Sequence, residues 1–242
     1  MTAAVPTTEV RIDSLSEIFG EEHVRKFQEG TGIRAIRKTV EHQTASDLAY
    51  AAADELFKKK SVNRDEIGAF IFGTLSPDYR RPTTACVLHK RLGLSKNCAA
   101  YDISLGCSAF VYGLTTVCAM MQNSDVDKAL LLVGETVSKL ANPKDSSMAM
   151  LFGDGGAAVL LEKTDEPSEI HSILKTDGLG YQAIIAPAGG MRNLNPSDAE
   201  YADADGNIRN LYNSHMQGEN VFSFTISDVP RTIKEFFAKT ES

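Results

Sequence analysis

Apolar and polar positions along this chain repeat with two periods. From Thr44 to about Lys59, Leu48, Ala49, Ala52, Leu56 and Phe57 recur at helical spacing. Thr44-Ala45-Ser46-Asp47 opens that helix as a capping box, with Asp in place of Glu. Ser14 to Gly30 is a polar helical stretch, broken at Gly20 and closed by Gly30. Pro82 starts another helix, which Gly93 ends, and Ser108 to Met121 forms one with small residues along it. Between them lie short apolar runs, Ile67 to Gly73, Cys98 to Leu105, Ala129 to Val133 and Gly155 to Leu161. These runs lack clean polar alternation. The predicted order from Thr44 onward is α, β, α, β, α, β, β, which points to a sheet covered on both faces by helices. Ile170 to Thr176 has a strand pattern and opens a second unit. Gly189 to Gly206, rich in Gly, Asn, Asp and Ala, reads as a long irregular surface excursion. Glu219 to Lys239 is helical in pattern, with Pro230 kinking or restarting it.

Composition narrows the picture. The 242 residues suffice for one large domain or two smaller ones, with enough apolar residues for a sizeable core. The longest uncharged stretch, Ile103 to Asn123, contains Ser, Gly, Thr and Cys and reads as a buried strand and helix rather than a membrane span. The N-terminus lacks the basic start and apolar core of a signal peptide. A formal charge of −7 argues against nucleic acid or an anionic membrane as the main partner. The four cysteines, Cys86, Cys98, Cys107 and Cys118, follow no CxxC pattern and have no histidine at metal-ligand spacing. A reducing cytoplasm fits them, and Cys86, Cys98 and Cys118 are expected to be buried, inert thiols.

Cys107 stands apart. It lies where an apolar strand ending at Leu105 meets a helix beginning at Ser108. The start of a helix carries unpaired N–H groups and the positive end of its dipole, which favour the nucleophilic thiolate. Acyl transfer through a thioester would need such an elbow. A tight turn that merely takes a small residue explains the same pattern, and this element alone does not choose between the two.

The remaining motifs are weaker alone. Phe152-Gly153-Asp154-Gly155-Gly156 precedes a strand and lacks the helix and Lys-Ser/Thr pair of a phosphate loop, so it reads as a tight turn. Thr31-Gly32-Ile33-Arg34 reads as a turn from which a basic side chain leaves. His23, His42 and His89 lie on polar faces and read as solvated. His171 lies in the strand pattern and His215 in an irregular stretch. None is an evident base for Cys107.

In combination these motifs resemble the thiolase superfamily, and most closely the β-ketoacyl-acyl-carrier-protein synthase III group. The matching pieces occur in family order over nearly the whole chain. They are Thr31-Gly32-Ile33-Arg34, Pro82 to Cys86, Asp102 to Phe110, Leu132-Val133-Gly134-Glu135, Phe152 to Gly155, and the helix from Asn220. The resemblance implies an α/β, thiolase-like layered fold. Residues 1–165 would form a complete βαβαβαββ half carrying the nucleophile, and residues 166–242 the beginning of a second, truncated half. It implies that Cys107 takes the acyl group and that its own N–H is one oxyanion-hole donor. Phe152 and Met216 would line the acyl pocket, Gly153 to Gly156 would form the turn beneath the site, and Phe222 would contact the pantetheine arm. No cofactor or metal is implied. The substrates would be thioesters of coenzyme A or acyl carrier protein. A homodimer would form through the strand Cys98 to Leu105. Arg81, just before Pro82, would stand where the family reaches across that dimer to the partner's acyl tunnel; a solvated loop arginine is the plain alternative.

The chain also departs from the family. The catalytic His and Asn belong to Pro-His-Gln-Ala-Asn and Asn-x-x-x-Ala-Ser type segments, and neither segment occurs in these 242 residues. Nor does the glycine-rich segment with the second oxyanion donor, and the first strand is expected to be clipped. These departures suggest a fragment of a longer protein, one half of a split enzyme, or a short homologue without condensation. The Trp and Arg that sandwich adenine in coenzyme A-dependent members correspond to positions near Lys26 and Ser146, which puts a tight adenine grip in doubt. Two other functions fit the same fold. One is acyl transfer to an alcohol or amine. The other is a non-catalytic subunit of a split synthase.

Overall fold

The structure is a computed structural model that describes residues 1–166 and 169–240. In chain order the first elements are β1 (Thr2–Ala4), β2 (Glu9–Arg11), α1 (Ser16–Phe19), α2 (Glu21–Thr31) and β3 (Ala35–Arg37). Next come α3 (Ala45–Lys60), β4 (Ile67–Gly73), α4 (Thr84–Leu92), β5 (Ala99–Ile103), α5 (Ala109–Gln122) and β6 (Lys128–Glu135). Then follow α6 (Ser146–Ala149), β7 (Gly155–Glu162), β8 (Ile184–Ile185), β9 (Tyr201–Ala202), β10 (Ile208–Arg209), β11 (His215–Met216) and α7 (Gly218–Thr240). Contacts group the chain into two compact units that interleave in sequence. One holds residues 1–9, 37–136 and 153–169, and the other 10–36, 137–152 and 170–242. This grouping differs from a linear division at 165/166, because 10–36 and 137–152 join the C-terminal stretch.

The first unit is built on a five-stranded sheet of order β1-β7-β6-β4-β5. β4 runs parallel to β5 and β6, while β7 is antiparallel to both β6 and β1. Its element order is β1, α3, β4, α4, β5, α5, β6, β7, the βαβαβαββ succession expected from the sequence. Successive strand residues face opposite sides of the sheet. Phe70, Phe72, Leu130, Leu132 and Ala158 therefore pack on one side with α3 and α4, through Ala49, Ala52, Leu56, Leu88 and Leu92. Ala69, Ile71, Ala129 and Leu131 pack on the other with Val117 and Met121 of α5. Helix and sheet come this close because side chains are missing where they meet. A Cβ at Gly156 would lie 2.5 Å from the Ala49 nitrogen, and one at Gly113 2.6 Å from Leu131 Cδ1.

The second unit contains α2, whose Val24 packs with Ile12, Ile36 and Met150 in a small separate core. The rest of it is mostly irregular, with the short ladders β9–β10 and β8–β11. α7 has no buried residue. Among the described residues no helix is long and apolar enough to cross a membrane.

Several expectations are corrected. α2 ends at Thr31 rather than Gly30, because Gly32, at φ +75°, takes the left-handed C-cap and donates its N–H to the Gln28 carbonyl (2.9 Å). Ile170 to Thr176 forms no strand; no ladder among the described strands includes it, and a strand needs a partner for its backbone groups. The Gly189 to Gly206 excursion is irregular as expected, and Tyr201–Ala202 within it pairs with β10. Pro230 lies inside one continuous helix. Thr2–Ala4 forms a short edge strand against β7.

Candidate active site

The Cys107 elbow is formed as the sequence pattern requires. β5 ends at Ile103, residues 104–108 turn, and α5 starts at Ala109 with Ser108 as its N-cap. The Ala109 N–H donates to the Gly106 carbonyl at 2.8 Å and the Tyr112 N–H to the Ser108 carbonyl at 3.1 Å, so the helix winds directly out of the turn. Ser108 gives no side-chain cap, which leaves first-turn N–H groups without an intrahelical partner. Cys107 is exposed. Ala109 seats against Gly73 at the end of β4, where a Cβ would come within 2.7 Å of the Ala109 Cβ. Glycine at 73 is thus what lets α5 begin so close to the sheet.

The segment before the cysteine is held from the side. The Ile103 carbonyl accepts both Thr74 N–H (3.1 Å) and Leu105 N–H (2.9 Å). Asp102 accepts the Thr84 and Ala85 N–H groups at 2.7 and 2.6 Å. A strand carboxylate thereby caps α4, whose own N-cap Thr83 offers no side chain for the purpose. Burial pushes the Asp102 carboxyl up, against the two N–H groups that pull it down, and Asp78 nearby adds to the rise. Glu135, the last residue of β6, accepts the Leu75 N–H with Oε1 and the Ser76 hydroxyl with Oε2, each at 2.7 Å. Burial pushes its carboxyl up as well.

The other cysteines separate by environment. Cys98 is buried, and desolvation pushes its thiol up to about 11. Cys118 is half-buried and also raised by desolvation. Cys86, expected to be buried, is exposed. α4 turns Ala85, Leu88 and Leu92 inward, and position 86 falls on the opposite face. His89, expected to be solvated, is half-buried with Nε2 2.9 Å from the Ser95 carbonyl. His215 places Nε2 2.8 Å from the Asn210 carbonyl and lies on β11 rather than in an irregular stretch.

Arg81 is exposed in the segment between β4 and α4. In the Gly153 to Gly156 turn, Asp154 Oδ2 accepts the Thr39 N–H and hydroxyl, both at 2.7 Å, which ties the turn to the chain ahead of α3. The second unit carries the remaining candidates. Phe152 and Met216 are half-buried, on or beside α6 and β11, which pack together. Phe222 on α7 is 63% exposed. Ser146 donates its N–H (2.9 Å) and hydroxyl (2.7 Å) to Asn207 Oδ1, and Lys26 pairs with Glu22 at 2.7 Å. Next to Ser146, Asp145 is fully buried and holds Arg209 Nε at 2.7 Å, while Arg209 Nη1 reaches Asp203 at 3.0 Å.

Sequence reasoning missed Glu135, Asp102 and Arg209 as organising groups. The first two sit inside motifs already identified, and a charged residue within an apolar strand (Asp102) or closing one (Glu135) was the available signal. Arg209 gave none, since its partner lies 64 positions away.

A family profile for 3-oxoacyl-[acyl-carrier-protein (ACP)] synthase III matches residues 101–178, which begin at the strand leading into the elbow. A Campylobacter jejuni protein assigned as a 3-oxoacyl-[acyl-carrier-protein] synthase 3 is 32% identical over 98% of this chain and 69% of its own length. A β-ketoacyl-[acyl-carrier-protein] synthase III of Koribacter versatilis is 32% identical over 82% of this chain, a match that spans 58% of that protein. Among solved structures, a 3-oxoacyl-(acyl-carrier-protein) synthase III superposes with a TM-score of 0.94 at 34% identity, covering all of this chain and 73% of the other. One from Burkholderia xenovorans LB400 gives 0.89 at 33% identity, covering 98% and 66%. With its layered mixed sheet, its cysteine elbow and relatives alike over most of their length, the chain belongs to the 3-oxoacyl-[acyl-carrier-protein] synthase III family of thiolase-like acyltransferases.

Proposed function

We propose that Cys107 accepts an acyl group from a thioester. The thiolate attacks the carbonyl carbon, the tetrahedral oxyanion is met by the Cys107 N–H, and collapse expels the donor's thiol and leaves the acyl group on sulfur. The observation that carries this reading is the exposed Cys107 in the turn from which α5 winds, directly ahead of first-turn N–H groups that no side chain caps. Decarboxylative condensation with a malonyl thioester is the reaction the family name implies for the second step. It calls for the His and Asn of the family's segments, which these 242 residues do not match.

Residues 1–165 and 166–242 are proposed as the family's two halves. Phe152 and Met216 are proposed as acyl-facing residues, and Phe222 as a contact of the donor's pantetheine arm. The donor is a coenzyme A or acyl-carrier-protein thioester, and the second is favoured. At the positions where an adenine sandwich would need Trp and Arg, Lys26 is paired with Glu22 and the Ser146 hydroxyl with Asn207. The proposed assembly is a cytoplasmic homodimer joined along β5, an edge strand with a free ladder side in the described sheet. Arg81 would then face the partner's acyl tunnel. An unpaired guanidinium is costly against apolar surface, so short or polar acyl groups should load best.

Acetyl thioesters of coenzyme A and of acyl carrier protein should add one acetyl mass to the Cys107 peptide, and Cys107→Ser should abolish the addition. Acetylation confined to other residues, or none at all from either donor, overturns the reading.

A further inference from the structure

We propose that Glu135 is a positioning residue for the nucleophile, holding the 74–76 loop against the elbow so that Cys107 meets a thioester carbonyl in one orientation. This rests on the reading of Cys107 as the acyl acceptor. The chain of contacts is short. Glu135 binds the loop twice, through the Leu75 N–H and the Ser76 hydroxyl, each at 2.7 Å. The Ser76 oxygen accepts the Thr136 N–H at 3.0 Å, which locks the loop to the residue after Glu135 as well. Thr74 Oγ1 accepts the Ser76 N–H at 3.0 Å, and the Thr74 N–H holds the Ile103 carbonyl.

The loop then touches the elbow directly. A Cβ built on Gly106, the residue before Cys107, would lie 3.0 Å from Leu75 Cδ1 and 3.9 Å from Glu135 Oε1. Gly106 thus lies against both the leucine that Glu135 holds in place and the carboxylate itself. Leu75 is 56% exposed, so its burial is a poor reason for its location. The half-buried Glu135 carboxylate is disfavoured by desolvation, which pushes its pKa up, and two hydrogen bonds to one loop offset part of that cost. The second side of the elbow is fixed by Ala109 on Gly73. With both sides held, the turn between them has little freedom to reorient, and acyl transfer is sensitive to misplacements on the order of 1 Å.

Three variants test this in the purified protein. Glu135→Ala removes both acceptors. Glu135→Gln keeps an acceptor for the Leu75 N–H and can reverse the bond to Ser76. Leu75→Ala removes only the exposed side chain that rests on Gly106 and does not endanger the fold. For each, acetylation of Cys107 by acetyl-coenzyme A and by acetyl-N-acetylcysteamine is timed by intact mass. Alkylation of Cys107 by iodoacetamide, which needs no fixed approach, serves as reference. We expect Glu135→Ala to slow acetylation by about tenfold or more, Leu75→Ala by roughly threefold to tenfold, and Glu135→Gln by less than about threefold. Alkylation should change by less than about threefold in all three.

Wild-type acetylation rates in both alanine variants overturn the inference. So does a parallel loss of alkylation, which marks a general disturbance, or failure of folded Glu135→Gln to recover. If Glu135→Ala does not fold, Leu75→Ala decides alone. A wild type that is alkylated at Cys107 but never acetylated, by these donors or by acetyl-acyl carrier protein, overturns the reading of the nucleophile instead.

Discussion

The two units hold themselves together differently. In the first, apolar side chains of a regular sheet sit between helices, and glycines at 73, 113 and 156 let backbones approach to contact distance. In the second, the chain from 140 to 152 is laced to 200–214 by polar groups. Asn142 reaches Glu200, Ser146 reaches Asn207, Asp145 reaches Arg209, and the Ser214 N–H reaches the Leu140 carbonyl. α7 presents Phe222, Ile226, Val229, Ile233 and Phe237 without burying any of them. Apolar burial tolerates no added atom where packing is closed, while a polar lacing is vulnerable to the loss of one partner. The cysteine elbow lies in the first unit and draws on both devices, with Ala109 seated on Gly73 and hydrogen bonds to Glu135 and Asp102 holding the segments around it.

Substitutions can break or sharpen this contrast. The largest effect is expected at Gly156. Any side chain there starts 2.5 Å from the Ala49 nitrogen and 2.6 Å from the Leu48 carbonyl carbon, both backbone atoms. Gly156→Leu should leave no cooperative urea transition, and a normal transition would show that α3 can move off the sheet. Next comes Arg209→Ala, which leaves the fully buried Asp145 carboxylate without its cation. A loss of about 3–5 kcal/mol in denaturant titration is expected; less than about 1 kcal/mol would mean the lacing contributes little.

A paired comparison follows. Leu131→Ala, at a fully packed site, should cost roughly 2–5 kcal/mol, whereas Phe237→Ala on α7, 55% exposed, should cost less than about 0.5 kcal/mol. Equal costs would mean that α7 is covered in solution.

Glu135 gives a pH effect. Its folded pKa stands above the ordinary 4.5, so the folded state binds the proton more tightly than the unfolded state. Stability should therefore fall as pH rises from 4.5 through the folded pKa. Glu135→Gln should flatten that fall in thermal melts between pH 4 and 8, leaving the part that Asp102 contributes in the same direction. An unchanged slope would locate the pH dependence elsewhere. The smallest effect is at Ser61, at φ 47° in the left-handed region after α3. Ser61→Gly relieves that strain but loosens the unfolded chain, and the net gain should be a few tenths of a kcal/mol.

The succession of helices and strands in the first unit was legible in the chain because each element carries its own period and its own punctuation. Thr44 and Asp47 open α3, Gly93 ends α4 at φ +64°, and Gly20 breaks the N-terminal helix at φ +84°. The elbow was legible for the same reason, since a strand pattern that runs into a helix pattern at Cys107 is local information. What the sequence could not determine is where partners lie far along the chain. Whether Ile170 to Thr176 becomes a strand depends on a neighbour to pair with, not on its own apolar pattern. Cys86 and Cys98 have similar local contexts, yet the packing face of α4 exposes the first and the turn leading into β5 buries the second. Glu135 and Arg209 acquire their roles from groups about 60 residues away, at Leu75, Ser76 and Asp145. A carboxylate or guanidinium reads as surface in one dimension. It becomes structural only when folding removes water and leaves a single set of donors and acceptors within reach.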